Sequence, residues 1–156
     1  MHAEIRTLPP MKVAYVRSVG KYGPENVGPI FCKLMSWAGK NNMMKPDSMV
    51  VGAYWDCPET TPPEQCRADA CITVPADFKG DKASGIEVQT LPGGKYAMYL
   101  ANVYNDDFCT PWADLSKWVA ECGLQFECKP CLEIYYNVAE HHPLKKWVVD
   151  FCLAVK

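Results

Sequence analysis

An internal repeat sets the strongest limit on how this chain can fold. Thr7-Leu8-Pro9-Pro10-Met11-Lys12-Val13-Ala14-Tyr15 returns, at an offset of 83, as Thr90-Leu91-Pro92-Gly93-Gly94-Lys95-Tyr96-Ala97-Met98, with Thr, Leu, Pro, Lys and Ala in register. Leu34-x-x-Trp37 returns at an offset of 81 as Leu115-x-x-Trp118. The same offset of 81 carries residues 50–56 onto residues 131–137, and Ala70-Cys71-Ile72 onto Phe151-Cys152-Leu153. The common order and nearly constant offset make coincidence a poor explanation. Two copies are too few for a solenoid, which stacks three or more units, and suit a single pseudo-twofold domain over residues 1–156. The repeats run approximately over 1–76 and 86–156.

Each copy reads as strand, helix, strand, strand. Residues 11–17 and 95–101 are rich in Val, Tyr and Met and follow the turn signals Pro9-Pro10 and Gly93-Gly94, so each is expected to form a hairpin with the short strand before it. Pro24 opens a helical pattern with Val27, Ile30, Phe31, Leu34 and Ala38 on one face. Phe108, Trp112, Leu115, Val119 and Cys122 repeat it in the second copy. Asn41-Asn42 and Gly123 are the stop signals. Strands over 49–55 with 68–75, and 131–136 with 147–155, complete the copies. Two helices with one apolar stripe each cannot cover both faces of this many strands, so the expected fold is α+β. Duplicated β-α-β-β units form a curved antiparallel sheet with both helices on one face. The other face, partly open, is the expected groove.

Composition narrows the function classes. Sixteen basic and 18 acidic residues, with no dense run of either, give a formal charge of −2 and no electrostatic footprint for nucleic acid. No apolar run reaches the roughly 18–20 residues of a spanning helix, and Met1-His2-Ala3-Glu4-Ile5-Arg6 has no signal-peptide apolar core, so a cytoplasmic protein without a membrane role is expected. The nine cysteines then read as reduced thiols. Cys128-Lys-Pro-Cys131 has the spacing of half a zinc knuckle, but Cys57 and Cys66 are too widely spaced to be the other half, and His141-His142 beside Glu140 lacks further ligands. No metal and no cofactor are expected. Cys32, Cys71, Cys122 and Cys152 lie in apolar stretches and read as small hydrophobes.

Pro130-Cys131-Leu132-Glu133-Ile134-Tyr135, a proline after a helix and then a strand carrying Leu-Glu-Ile-Tyr, resembles the GyrI-like group, which includes the bacterial DNA gyrase inhibitor and effector-binding domains of AraC-type and MerR-type regulators. Residues 51–62, Asp106-Asp107-Phe108 with Pro111-Trp112, and Lys129-Pro130-Cys131 extend the likeness over nearly the whole chain. The resemblance implies a duplicated β-α-β-β fold, in agreement with the repeat, and a stand-alone binding domain with no helix-turn-helix before it. It also implies a ligand-contacting carboxylate, carried over to Glu133 alone, because the matching position in the first copy is Gly52.

Strand alternation puts Glu133 with Tyr135 on one face, and Gly52 with Tyr54 on the matching face of the other copy, so the expected pocket lies on the pseudo-twofold axis with charge from one side and room from the other. A carboxylate in an apolar strand is costly to bury without a partner, and a cationic ligand ringed by aromatic faces would supply one. The competing reading pairs Glu133 across the sheet with Arg17, Arg67 or Lys95, or leaves it facing water. Trp112 is either a groove wall or a core anchor, and Tyr22, in Gly20-Lys21-Tyr22-Gly23, either a rim residue or a turn tyrosine. Trp55 and Tyr136, on the opposite strand face, are expected in the core. Three functions remain open. The first is binding of small amphipathic, including cationic aromatic, compounds. The second is hydrolysis of cyclopropane-containing DNA-alkylating compounds, with Glu133 acting on water and Tyr135 or Tyr54 on the oxyanion. The third is inhibition of DNA gyrase by protein contact.

Overall fold

The structure is a computed structural model that describes residues 1–156. Its eight strands are β1 (Ala3–Leu8), β2 (Met11–Val19), β3 (Val50–Tyr54), β4 (Arg67–Thr73), β5 (Glu87–Leu91), β6 (Gly94–Tyr104), β7 (Cys131–Tyr135) and β8 (Lys146–Ala154). The helices are α1 (Pro24–Lys40), between β2 and β3, and α2 (Cys109–Glu121), between β6 and β7. The expected α+β class with a duplicated β-α-β-β order is what the protein has.

The chain divides into two compact units, residues 1–9 with 93–156 (unit 1) and residues 10–92 (unit 2). Unit 1 orders its strands β1-β6-β8-β7 and unit 2 orders them β5-β2-β4-β3, all antiparallel. The hairpins expected at Pro9-Pro10 and Gly93-Gly94 do not form. β1 pairs with β6, from Ala3↔Tyr99 to Leu8↔Gly94, and β5 pairs with β2, from Met11↔Leu91 to Tyr15↔Glu87. Each short strand therefore completes the sheet of the other repeat's long strand. The turn signals mark real breaks in the chain, but a two-residue break does not dictate which strand the next one pairs with. Gly94 has φ 129°, and a Cβ there would collide with the Lys129 ammonium, which donates to the Gly93 carbonyl at 2.8 Å.

Both helices follow their apolar stripes. α1 buries Ile30, Leu34, Trp37 and Ala38 against Ala14, Val16, Ala70 and Ile72 of its own sheet. α2 buries Pro111, Leu115 and Val119 against Ala97, Ala101, Val103, Val149 and Phe151. The stop signals hold: Asn42 and Gly123 take the left-handed conformation, φ 54° and 69°, just beyond the two helices. The cysteine reading divides. Cys71 and Cys152 are fully buried, and desolvation pushes both thiols well up, whereas Cys32 is exposed on α1 and Cys122, in step with the apolar stripe, is exposed because it lies just past the end of α2. No helix is long and apolar enough to cross a membrane.

Candidate functional site

β7 places Glu133 in unit 1 between two fully apolar neighbours. Leu132 and Ile134 point to one side of the strand and are buried, while Glu133 and Tyr135 point to the side on which α2 packs. The expectation that these two residues face away from the helix is therefore corrected: the carboxylate lies under α2, not on the opposite face. The reason is one of parity. Glu133 pairs directly with Phe151, and Phe151 belongs to the α2 cluster, so its neighbour across the strands must share that side.

Glu133 is 4% exposed. Its Oε2 accepts from the indole Nε1 of Trp112 at 2.7 Å and its Oε1 accepts from the Tyr135 hydroxyl at 2.5 Å. Both of these donors are neutral groups, an indole and a phenol. Trp112, in the first turn of α2, anchors the packing and touches the carboxylate at once. Its ring meets Phe151 edge-on at 5.2 Å and 87°, and its nitrogen reaches Glu133. Arg17 and Arg67, offered by the sequence as ion-pair partners for Glu133, are engaged with Asp69 and Asp56 instead.

Two further aromatic residues complete the surroundings, and sequence reasoning did not single them out as site residues. Trp147 meets Tyr135 at 5.9 Å, and Phe108 lies 6.2 Å from Trp147 and 6.3 Å from Phe151. The signal for one of them was present. Asp106-Asp107-Phe108 precedes α2 as a polar turn, and both aspartates work locally: Asp106 accepts from the Trp147 indole at 3.0 Å, and Asp107 accepts from the Thr110 amide and hydroxyl at 3.1 and 2.7 Å. Those Thr110 bonds hold the Asp107 carboxyl below its usual range. Trp147 at the start of β8 carried no such signal, because only the β6–β8 pairing brings it to the turn.

The remaining expected site residues lie in unit 2. Gly52 is buried in β3, and Tyr54 is half-buried with its ring 5.1 Å from Tyr22 at 77°. The Tyr22 hydroxyl donates to the Arg67 carbonyl at 2.8 Å and accepts from the Asp56 amide at 3.1 Å, tying the loop before α1 to the end of β3 and the start of β4. The structure thus brings Glu133, Tyr135 and Trp112 together in one unit, and Tyr22 with Tyr54 in the other. Trp55 and Tyr136 depart from the expected core role: Tyr136 is 55% exposed and each donates to a buried aspartate, Trp55 to Asp69 at 2.7 Å and Tyr136 to Asp150 at 2.6 Å.

The sequence model of the GyrI-like small molecule binding domain matches residues 1–156. Among curated proteins the chain is 32% identical over 158 residues to a DNA gyrase inhibitor of Escherichia coli strain K12, an alignment covering 100% of this chain and 98% of that protein. Among solved structures, the EcmrR C-terminal domain superposes with a TM-score of 0.75 at 16% identity, over 99% of this chain and 97% of that one. SAV2435, solved bound to tetraphenylphosphonium, superposes with a TM-score of 0.63 at 11% identity, over 100% of this chain and 94% of that one. At those identities the two structures share the fold.

Proposed function

The chain belongs to the GyrI-like small-molecule-binding domain family, and we propose that it binds or sequesters amphipathic compounds, cationic aromatic ones in particular, at a site centred on Glu133. The observation that carries this reading is a 4% exposed carboxylate held by two neutral donors, Trp112 and Tyr135, within a group of aromatic rings. An organic cation that stacks on such rings and meets the carboxylate loses little hydration of its own. Inorganic cations, strongly hydrated, gain less. In unit 2, Gly52 and Tyr54 stand at the repeat positions of Glu133 and Tyr135, and Tyr22 packs its ring against Tyr54. The solved neighbour holding tetraphenylphosphonium supports the ligand class by analogy of fold.

Titration with tetraphenylphosphonium tests this. The unaltered protein should bind it saturably, and Glu133→Gln, which keeps the shape and removes the charge, should weaken binding roughly tenfold or more, the scale of one lost charge-assisted contact. Equal affinity of the two proteins would overturn the site. A second reading, inhibition of DNA gyrase, is favoured by the full-length likeness to the Escherichia coli protein of that name, and a supercoiling assay with the purified chain decides it. Hydrolysis asks more of the geometry. The Tyr135 hydroxyl donates to Glu133, so donation to a developing oxyanion requires that bond to break first. Mass spectrometry of a recovered cyclopropane-containing ligand, intact or with water added, separates binding from turnover.

A further inference from the structure

On the strand faces turned away from the helices, each unit buries an aspartate at the same place in its repeat, Asp69 in β4 and Asp150 in β8. In unit 2 the arrangement is saturated. Arg17, directly opposite on β2, binds Asp69 with both arms of its guanidinium, Nε to Oδ1 at 2.7 Å and Nη2 to Oδ2 at 2.9 Å. The Trp55 indole and the Gln89 amide donate to Oδ2 at 2.7 and 2.8 Å. The guanidinium also sits against the rings of Tyr15 and Trp55, at 5.4 and 5.9 Å.

Unit 1 has the same frame with different side chains. Leu100 faces Asp150 across β6 and β8 as Arg17 faces Asp69 across β2 and β4. Leu100 stands at the offset of 83 from Arg17, and Asp150 at the offset of 81 from Asp69, so each pair occupies matching repeat positions. Tyr136 stands where Trp55 stands and donates to Asp150 Oδ2 at 2.6 Å, and burial with that bond pushes its phenol pKa up, so it keeps its proton as a donor. Arg6 occupies the place of Gln89, yet its side chain is largely exposed and its Nε lies 3.7 Å from Glu4. Asp150, only 8% exposed, thus has Tyr136 where Asp69 has three donor residues, and a leucine at the guanidinium position. Leu100 and Tyr136 are 58% and 55% exposed, so the position opens onto apolar surface rather than into the core.

We infer that Asp150 is a docking point for a protein partner that inserts an arginine side chain beside Leu100 and Tyr136, supplying from outside the guanidinium that Arg17 supplies to Asp69 within the chain. The choice of arginine rests on shape and charge. A buried carboxylate with one oxygen already committed to a phenol presents a flat acceptor edge, which a planar guanidinium matches in two bonds and a compact ammonium does not. Leucine and tyrosine flanking that edge exclude water once an arginine stem lies against them, the setting in which a charge-assisted bond contributes most to an interface. This surface is separate from Glu133, which points to the α2 side.

The test is an amide-resolved NMR titration of the full chain with N-acetyl-arginine amide, with N-acetyl-lysine amide as control. The arginine probe should shift the amides of Leu100, Tyr136 and Asp150 saturably, and the lysine probe should not. Asp150→Asn should weaken the response roughly tenfold, as expected for losing a charged acceptor. Leu100→Arg, which carries the guanidinium in the chain itself, should raise the melting temperature and abolish the response, and it keeps the proposal testable if Asp150→Asn fails to fold. Arg6→Gln should leave the response in place. Equal shifts with lysine, an unchanged response in Asp150→Asn, loss of it in Arg6→Gln, or shifts of the same amides on concentrating the protein without probe, which would assign the surface to a second copy, would each overturn the inference.

Discussion

The two units carry the same backbone plan and use their carboxylates in opposite ways. In unit 2 the buried carboxylate, Asp69, lies on the face away from the helix and is tied by an arginine, an indole and an amide from its own unit. In unit 1 the most buried carboxylate, Glu133, lies on the helix face among aromatic rings, with a tryptophan and a tyrosine as donors, and the aspartate matching Asp69 faces Leu100 in place of an arginine. The guanidinium of Arg17 ties Asp69 across neighbouring strands, whereas an indole of α2 and a phenol of the same strand bind Glu133.

The most direct challenge to that contrast is to make unit 2 resemble unit 1. Arg17→Leu removes the bidentate partner of an aspartate whose side chain is fully buried, and should cost about 3 kcal/mol of unfolding free energy, since Trp55 and Gln89 remain as neutral donors. Denaturant unfolding that shows a loss below about 1 kcal/mol would mean that Asp69 does not depend on the arginine. Trp112→Phe probes unit 1 by removing one donor from Glu133 while keeping most of the ring that packs on Phe151. It should cost about 1–3 kcal/mol in the same measurement, and a stability gain would mark the indole bond as strained.

Acid sensitivity should draw on both units, with Asp107 depressed in unit 1 and two further carboxyls in unit 2. Asp56 is held below the usual carboxylate range chiefly by its bonds with Arg67, and Asp81 by the indole of Trp37 and by Ser84, and both belong to unit 2. For a carboxyl depressed in the folded state, the stabilisation is fully present above the unfolded value of about 3.9 and is lost as the pH falls through the folded one. The melting temperature should therefore drop from about pH 4 downward, and Asp56→Asn should flatten that drop while lowering stability at neutral pH. An unchanged acid profile would remove Asp56 from the account. The smallest effect is expected for Tyr22→Phe, which loses the hydroxyl tie to Arg67 and Asp56 but keeps the ring against Tyr54, at about 1 kcal/mol.

Much of the fold was legible in the chain because its information is local. The offsets of 83 and 81 revealed the duplication, the apolar stripes located both helices, and Asn42 and Gly123 marked their ends. Glu133 stood out as a carboxylate in an apolar strand carrying a family motif, and it is buried in β7. Strand alternation also placed it correctly on the same side as Tyr135.

What alternation cannot say is which partner lies across the strand, and so which face is which. A period of two divides a strand into two sides without labelling either one. The helix side of Glu133 was decided by its pairing with Phe151, and the place of Trp147 beside Tyr135 by the register of β8. The same limit hid the exchange of short strands. Pro9-Pro10 and Gly93-Gly94 dictate that the chain breaks there, but β1 and β5 send their hydrogen bonds to strands of the opposite repeat, far off in sequence, where the free energy is set by how well whole sheets close rather than by any residue at the turn. The amino-acid order alone thus carried the elements, their duplication and the one anomalous carboxylate. Which donors hold that carboxylate was left to the tertiary structure, because those donors come from a helix and a strand whose meeting is a property of the packed sheet.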